Sequence, residues 1–426
     1  MRAWPWTTST FAERGDLLAL VDAAVHRYGV DAFLSGGARP LDRRWVVGVA
    51  PAGSLQLEAG TSRDAIRAFV DAGPGPVLGF LSYPYGLGAT LGVHRDPGFP
   101  GGLLRRYHGV LEWDLDTGQL DICTDDAALG KILRDRAAAP PARTPHAVRR
   151  AGGPPTPSMD RAAYMAGVEE TLEAIRDGLV YQLNLSIRYQ VPFRPEGAWS
   201  LFRILFERYP ASHYVYMDVG RHRLISTSPE RFLRVRGDAV WSQPIKGTAR
   251  VSPGADEVAI RAALQGSPKE SAELSMIVDL IRNDVGRSCV HGSVAVPRHK
   301  DVFRVDDLLQ MCSDVTGQLR PDRDAVDLLL DAFPGGSVTG CPKEAAMGLI
   351  DRLEGHPRDI YCGAFVLLRG LRDMDASIAI RTAVSDRETE TLRFDAGSGI
   401  VVGSEPASEF LETTAKAAKF LEVLGS

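Results

Sequence analysis

The stretch YQLNLSIRYQV, residues 181–191, has the regular alternation of apolar and polar residues that indicates a β-strand. Successive residues of a strand face opposite sides of the sheet, so its apolar side chains point one way and its polar side chains the other. Because antiparallel sheets commonly have one solvated face, the polar face of this strand is predicted to lie in solvent.

Helical patterns lie on both sides of this strand. A helix that ends at Asp177-Gly178 precedes it, and further helices are predicted at about residues 268–287 and 407–423. Long alternating strands mixed with helices favour an α+β fold over a wound parallel sheet. The apolar stripe of the first helix consists of Tyr164, Val168, Leu172 and Ile175.

The chain has 426 residues, which exceeds the roughly 250–300 residues at which a single core stops growing. Residues 137–157 are so rich in Pro, Ala, Arg and Gly that they predict a linker or exposed loop. Before it, residues 1–136 form a β-rich region, which we expect to contribute to the same sheet structure. After it, residues 158–426 carry most of the polar motifs and are the predicted catalytic region.

Composition narrows the class of protein. The net charge of −5 gives no reason to expect a nucleic acid or an anionic membrane as partner. No apolar run reaches the roughly 18 residues of a membrane span, and the N-terminus lacks a signal-peptide pattern. The five cysteines are scattered without metal-ligand or CxxC spacing, which indicates reduced thiols in a cytoplasmic protein.

Two residues could carry covalent or acid–base chemistry. Lys246, in the run PIKGT, follows an apolar residue and precedes a tight turn, and desolvation makes a lysine nucleophilic. Glu230 ends the run STSPE, in which proline stiffens the chain, and is a candidate general acid or base. Judged alone, each is more often an exposed residue.

Two further sets of residues could bind ions, one a cation and the other an anion. Glu273, Glu409 and Glu412 lie on predicted helices and could hold Mg²⁺, although solvated helix faces look the same. Residues 334–343 form a glycine-rich turn before a helix that starts at Pro342, and such helix starts favour anions.

Two further segments could contact a ligand. Gly397-Ser398-Gly399 is predicted as a flexible turn whose backbone can approach a ligand closely, and an ordinary turn is the alternative. Arg381 lies in an apolar strand, where it could bind a carboxylate or form a structural ion pair.

Taken in order, these segments resemble the chorismate-utilising enzymes, over essentially all of residues 158–426. The resemblance implies two large, mainly antiparallel β-sheets packed together with helices outside, as in the anthranilate synthase large subunit. The segments that carry it are 181–185, 228–232, 244–248, 276–284, 333–343, 361–363, 378–382 and 397–416.

Within this family, lysine at position 246 resembles aminodeoxychorismate synthase component I. The resemblance implies that Lys246 attacks C2 of chorismate and that the C4 hydroxyl leaves. Ammonia then attacks C4 and expels the lysine. Glu230 would be the general acid/base, and Gln182 stands where a lysine base activates water in isochorismate-forming relatives. An amide cannot take that proton, which argues against hydration.

The resemblance also implies a ligand set. Mg²⁺ on Glu273, Glu409 and Glu412 would hold the ring carboxylate. The remaining contacts would come from Lys416, Gly397, Ser398, Gly399, Tyr361, Arg381, Ser337 and Gln310. Gln310 departs from the histidine of many members, and Cys341 and Ala345 depart from a common alanine and arginine.

Alternatives remain open at this point. The runner-up activity is an anthranilate- or aminodeoxyisochorismate-type synthase, and a non-catalytic paralogue that only binds chorismate or a partner is a different class. The sequence has no recognisable glutaminase motif with a nucleophilic cysteine, so a separate glutamine amidotransferase subunit is the expected source of ammonia.

Overall fold

The structure is a computed structural model that describes residues 6–11, 16–35, 44–87, 96–137, 148, 152–252, 254–305 and 308–425. Most of the predicted linker at 137–157 lies outside the described residues. In the described part of the chain, no helix combines the length and apolar character that a bilayer crossing requires.

Ten α-helices are present among the described residues. They are α1 (Asp16–Tyr28), α2 (Arg63–Asp71), α3 (Ala127–Ala137), α4 (Arg161–Arg176), α5 (Ala198–Arg208), α6 (Glu257–Gly266), α7 (Pro268–Gly286), α8 (Ala325–Ala332), α9 (Lys343–Glu354) and α10 (Pro406–Val423).

Twenty β-strands are also present among the described residues. They are β1 (Trp6–Phe11), β2 (Val30–Ser35), β3 (Arg44–Gln56), β4 (Val77–Leu81), β5 (Gly102–Asp114), β6 (Gln119–Thr124), β7 (Thr156–Pro157), β8 (Gln182–Pro192), β9 (His213–Val219), β10 (His222–Ser228), β11 (Arg231–Arg236), β12 (Ala239–Gln243), β13 (Ile245–Arg250), β14 (Ala295–Val305), β15 (Leu308–Gln318), β16 (Gly340–Cys341), β17 (Ala364–Gly370), β18 (Asp373–Ile378), β19 (Thr382–Asp386) and β20 (Thr391–Ile400).

The strands pair antiparallel in two long series. The first runs β3-β2-β9-β10-β19-β20-β8. The second runs β4-β17-β18-β11-β12-β15-β14, with β13 also on β15. β5 pairs with both β3 and β4, so one continuous ladder is folded into two layers.

Three clusters of buried side chains define the layers. An inner cluster joins the two strand series, and it includes Phe33, Phe80, Val215, Phe365 and Val384. One outer cluster packs α1, α3, α4, α5, α9 and α10 on the first series. The other packs α2, α6, α7 and α8 on the second. The predicted α+β fold, two antiparallel sheets packed together with helices outside, is therefore confirmed.

The helices that carry the candidate carboxylates begin as their sequences predict. The Ser267 hydroxyl caps α7 and Pro268 occupies its first turn, while α10 starts at Pro406. The helix predicted to start at Pro342 is α9, with Pro342 just before its first residue, and it ends at Gly355 in the left-handed conformation. α7 packs against β13, and α10 packs against β20.

Candidate active site

Glu230 is a buried acid held by a serine. It lies between β10 and β11 and is 5% exposed, so the exposed loop glutamate that is more usual in such a run is not what forms here. The Ser337 hydroxyl, on a short 3₁₀ turn between α8 and α9, donates a 2.7 Å hydrogen bond to Glu230 Oε1. The glycine-rich run 334–343 thus contributes a side chain to the site.

The electrostatics of Glu230 suit proton transfer near neutral pH. Burial raises the pKa of its carboxyl to about 7, against the opposing effects of the Ser337 hydrogen bond and the charges of Lys246 and Lys416. A carboxyl group with a pKa in this range can give or take a proton at physiological pH.

Lys246 lies in β13, and its side chain is 15% exposed. Its Nζ is 3.7 Å from Glu273 Oε2. The backbone of Gly399 is so close that a Cβ there would lie 3.0 Å from Lys246 Nζ and 3.2 Å from Gln182 Nε2. The tight turn expected after Lys246 is a bulge at Gly247, whose φ is +78°.

The polar face of β8 is buried at its start, so the prediction of a solvated face is wrong there. Gln182 and Ser186 are fully buried, and Asn184 is 6% exposed. The reason is that side chains from outside the strand lie over this face: the Ser186 hydroxyl donates to Glu354 Oε1 at 2.7 Å, and Arg358 donates to the carbonyl of Asn184 at 2.6 Å. Both amide atoms of Gln182 and the Nδ2 of Asn184 lack a hydrogen-bond partner among the described residues. Buried amides without a partner are uncommon and call for an explanation, such as a bound water, ion or ligand.

The segment 397–399 is strand, and the predicted flexible turn is wrong. These residues belong to β20 and pair with 184–186 of β8. A Cβ at Gly397 would lie 2.5 Å from Leu185 O, so glycine is required by strand packing. Within this segment the backbone of Gly399 faces Lys246 and Gln182, and its contact with a ligand stays a prediction.

Three glutamates and three lysines from α7, α10 and β13 lie in one cluster, in which each glutamate is close to a lysine. Lys246 faces Glu273 at 3.7 Å, Lys269 Nζ donates to Glu409 Oε1 at 2.8 Å, and Lys416 Nζ pairs with Glu412 at 2.7 Å. Burial raises the pKa of Glu273, and the charges of Glu409 and Glu412 add to that rise against the two nearer lysines. The three glutamates that helical spacing singled out therefore lie close enough for their charges to interact.

The same cluster is chemically suited to a cation. Carboxylate oxygens are the hard donors that Mg²⁺ takes. As the side chains stand, however, no group of three or more acidic, His or Cys residues among those described has the arrangement of a metal centre. Lysine ammonium groups provide the positive charge in this state.

Tyr361 and Arg381 lie in neighbouring segments, since the amide of Cys362 donates to the carbonyl of Ala379 at 2.9 Å. Tyr361 is 4% exposed, and the guanidinium of Arg358 lies 5.5 Å from the centre of its ring. Arg381 sits in the break between β18 and β19 with φ +49°, so its predicted place within a strand is wrong. Burial lowers the pKa of its guanidinium, and no carboxylate in the described ranges pairs with it. The structural ion pair, the alternative for this arginine, is therefore absent from the described part of the chain.

The last two members of the predicted set differ in what surrounds them. Lys416, on α10, also donates to Gly397 O at 3.0 Å, which ties the helix to β20. Gln310 is buried on β15 and pairs with Thr248 of β13, two residues from Lys246.

Residues 40–422 match the family described as chorismate binding enzyme. The chain belongs to this family. It is 39% identical over 272 residues to aminodeoxychorismate synthase component 1 of Klebsiella aerogenes, covering 63% of this chain and 59% of that one. It is 35% identical over 270 residues to anthranilate synthase component 1 of Bacillus pumilus, covering 63% and 52%. The chain thus spans between half and three fifths of the length of these curated relatives.

Solved structures of chorismate binding enzymes extend the likeness to the whole chain. Anthranilate synthase component I from Streptococcus pneumoniae TIGR4 aligns with a TM-score of 0.76 at 25% identity, over 97% of this chain and 100% of that one. The menaquinone-specific isochorismate synthase MenF of Escherichia coli aligns with a TM-score of 0.75 at 20% identity, over 100% and 96%, which supports the fold alone.

Sequence reasoning missed several residues of this chorismate binding enzyme's site. Lys269 and Glu270 precede Glu273 by four and three residues, the spacing that places side chains on one helix face. Asn184 follows Gln182 on the same face of β8. These three residues could have been found from their spacing in the sequence. Arg358 was missed as well: it pairs with Glu354 at a spacing of four residues, and it also donates to the carbonyls of Val338 and Asn184, to which no local pattern points.

Proposed function

We propose that this chain converts chorismate and ammonia into 4-amino-4-deoxychorismate. The observation that carries the proposal is the position of Lys246 Nζ, beside the Gly399 backbone and the unpaired amide of Gln182. A lysine so placed is a candidate nucleophile in a site that also contains a buried acid. The 39% identity to an aminodeoxychorismate synthase component 1 supports the same reaction.

In the first step the ammonium group of Lys246 loses a proton to solvent, and the resulting neutral amine bonds to C2 of the ring. The two ring double bonds shift, and the C4–O bond breaks. The protonated carboxyl of Glu230, with its pKa raised to about 7 by burial, supplies the proton with which the hydroxyl leaves as water.

In the second step ammonia bonds to C4, the double bonds shift back, and the C2–N bond to Lys246 breaks. The proton lost by the attacking ammonia returns to the carboxylate of Glu230, so the site is reset. Gln182 stands beside the nucleophile, and its neutral amide cannot serve as a base for water. The net reaction consumes chorismate and ammonia and releases water.

Binding of the substrate would fall to groups at the rim of this site. Arg381 is a partly buried cation without a carboxylate partner among the described residues, so an anionic ligand would pair with it. Arg381 and Tyr361 would both bind the carboxylate of the enolpyruvyl group of chorismate. Lys416, together with the backbone of 397–399, would hold the ring carboxylate.

Mg²⁺ is the proposed cofactor, and Glu273, Glu409 and Glu412 are the residues that would hold it. The bound ion would neutralise the ring carboxylate during the reaction. Ammonia would come from a glutamine amidotransferase partner.

The test is incubation of the chain with chorismate, Mg²⁺ and ammonium, with mass detection of the product and of an adduct on Lys246. Lys246→Ala should lose C4 amination by roughly a thousandfold or more, because it removes the nucleophile of both displacements. Lys131→Ala, an exposed lysine on α3, is the matched control and should keep full activity. Full C4 amination by Lys246→Ala would refute the covalent role.

The second candidate is an anthranilate-type synthase, and the observation in its favour is the 35% identity to anthranilate synthase component 1 of Bacillus pumilus over a similar span. The same incubation separates the two, because an anthranilate-type enzyme places the amine on C2 and a product aminated at C2 would replace the one aminated at C4.

A further inference from the structure

Lys269 lies in the first turn of α7, one helical turn before Glu273. Its Nζ donates to Glu409 Oε1 at 2.8 Å. The other oxygen of that carboxylate, Oε2, accepts a 2.7 Å hydrogen bond from Ser398 Oγ. Glu409 is 1% exposed, so its buried charge depends on the lysine and on that serine.

The ammonium group of Lys269 lies among three carboxylates. Besides Glu409, which it contacts, the charges of Glu273 and Glu412 act on it. These are the three residues proposed above to hold Mg²⁺. A divalent cation on Glu409 would bring two further positive charges against an ammonium that already occupies one of its oxygens, and the two would repel strongly.

We propose that Lys269 is a placeholder cation, which holds the carboxylate cluster in the metal-free protein and leaves when Mg²⁺ binds. The inference rests on the metal set of the proposed function. The side chain of Lys269 is 37% exposed and ends on a flexible four-carbon stem. It can therefore move into solvent without any movement of α7. Mg²⁺ binds only at the cost of this ion pair, so Lys269 lowers the affinity of the protein for the free metal.

The experiment is calorimetric titration of the full chain with Mg²⁺, without chorismate. Lys269→Met removes the charge and keeps an unbranched stem. It should lower the Kd for Mg²⁺ about tenfold, which corresponds to about 1.4 kcal/mol. Lys131→Met is the matched control, since it makes the same change of charge on the exposed surface of α3, and its Kd should equal that of the wild type.

Thermal unfolding gives a second readout that does not depend on turnover. Without metal, Lys269→Met should unfold at a lower temperature than the wild type, because Glu409 is left buried without its cation. Saturating Mg²⁺ should raise the Tm of Lys269→Met more than that of the wild type, since the metal replaces the missing charge and binds more tightly.

Equal or weaker Mg²⁺ binding by folded Lys269→Met overturns the placeholder role. Glu409→Gln should lose Mg²⁺ binding in both the wild-type and Lys269→Met backgrounds. If Glu409→Gln still binds, or if no variant binds, the metal set is wrong and the inference fails with it. Neither result bears on the amination reaction, which the Lys246 adduct experiment decides independently.

Discussion

Glu230 and Glu354 are both buried glutamates, 5% and 6% exposed, and the groups that contact their carboxylates differ. Glu354 is fully paired: Arg358 donates to both of its oxygens, at 2.6 and 2.8 Å, and the amide and hydroxyl of Ser186 also donate to it. Glu230 has one neutral donor in contact, the hydroxyl of Ser337.

The pKa values separate accordingly. Burial raises the pKa of both carboxyls, but at Glu354 the charge and hydrogen bonds of Arg358 outweigh burial and hold the pKa below its ordinary value. At Glu230 burial prevails, and the pKa rises to about 7. The comparison teaches that equal burial gives opposite chemistry. A compensated carboxylate supports the fold, and an uncompensated one is available for proton transfer.

The substitution with the largest expected effect on this comparison is Glu230→Gln. Glutamine has the shape of the protonated acid and cannot transfer a proton, so kcat should fall by roughly a hundred- to ten-thousandfold. The Tm should not fall, because no buried charge is left unpaired. Steady-state kinetics with ammonium and a thermal unfolding scan measure both. A large loss of Tm with little loss of kcat would reverse the assigned roles.

Glu354→Gln should do the opposite. It leaves Arg358 as a buried charge without its carboxylate, and the free energy of unfolding should drop by about 3–5 kcal/mol. The measurement is denaturant unfolding. Glu170→Gln is the control, because its ion pair with Arg352 is exposed and should contribute less than about 1 kcal/mol. Equal stability of Glu354→Gln and wild type would show that the pair is not structural.

Ser337→Ala has the smallest expected effect, and it tests how the single hydrogen bond to Glu230 sets the pKa of that carboxyl. The general acid must be protonated, so kcat/KM should fall as pH rises through about 7, the pKa of Glu230. Ser337 lowers that pKa by its hydrogen bond. Its removal should move the falling limb to higher pH by up to about one unit. Ser293→Ala, which alters a hydroxyl in the loop before β14, should leave the limb in place. A shift to lower pH would contradict the assigned contact.

Regular spacing predicted the elements better than their surroundings. The periods of α7, α10 and β8 were sufficient to place those elements within a residue or two, because local backbone geometry sets them. The buried polar face of β8 was not predictable, since it depends on Glu354 and Arg358, from a distant part of the chain, lying against it. Alternation shows that two faces differ, and it does not show which of them another element covers.

The site was predicted in the same uneven way. The carboxylates at 273, 409 and 412 follow from helical spacing together with the family resemblance. The lysines that pair with Glu409 and Glu273 come from α7 and β13, and a contact between distant segments leaves no local pattern. Glu354 and Arg358 are four residues apart and look like an ordinary surface pair. Only the packing around them shows that they are buried.

The shared strand β5 has a consequence for folding and for fragments of the protein. β2 and β4, which are neighbours of β3 and β5, also pair with β9 and β17. A fragment that starts at residue 158 would leave the hydrogen-bonding groups along one side of β9 and of β17 unpaired, and open strand edges recruit other chains. Both layers must therefore close on strands from far earlier in the chain, and such high contact order predicts slow folding and aggregation of truncated forms.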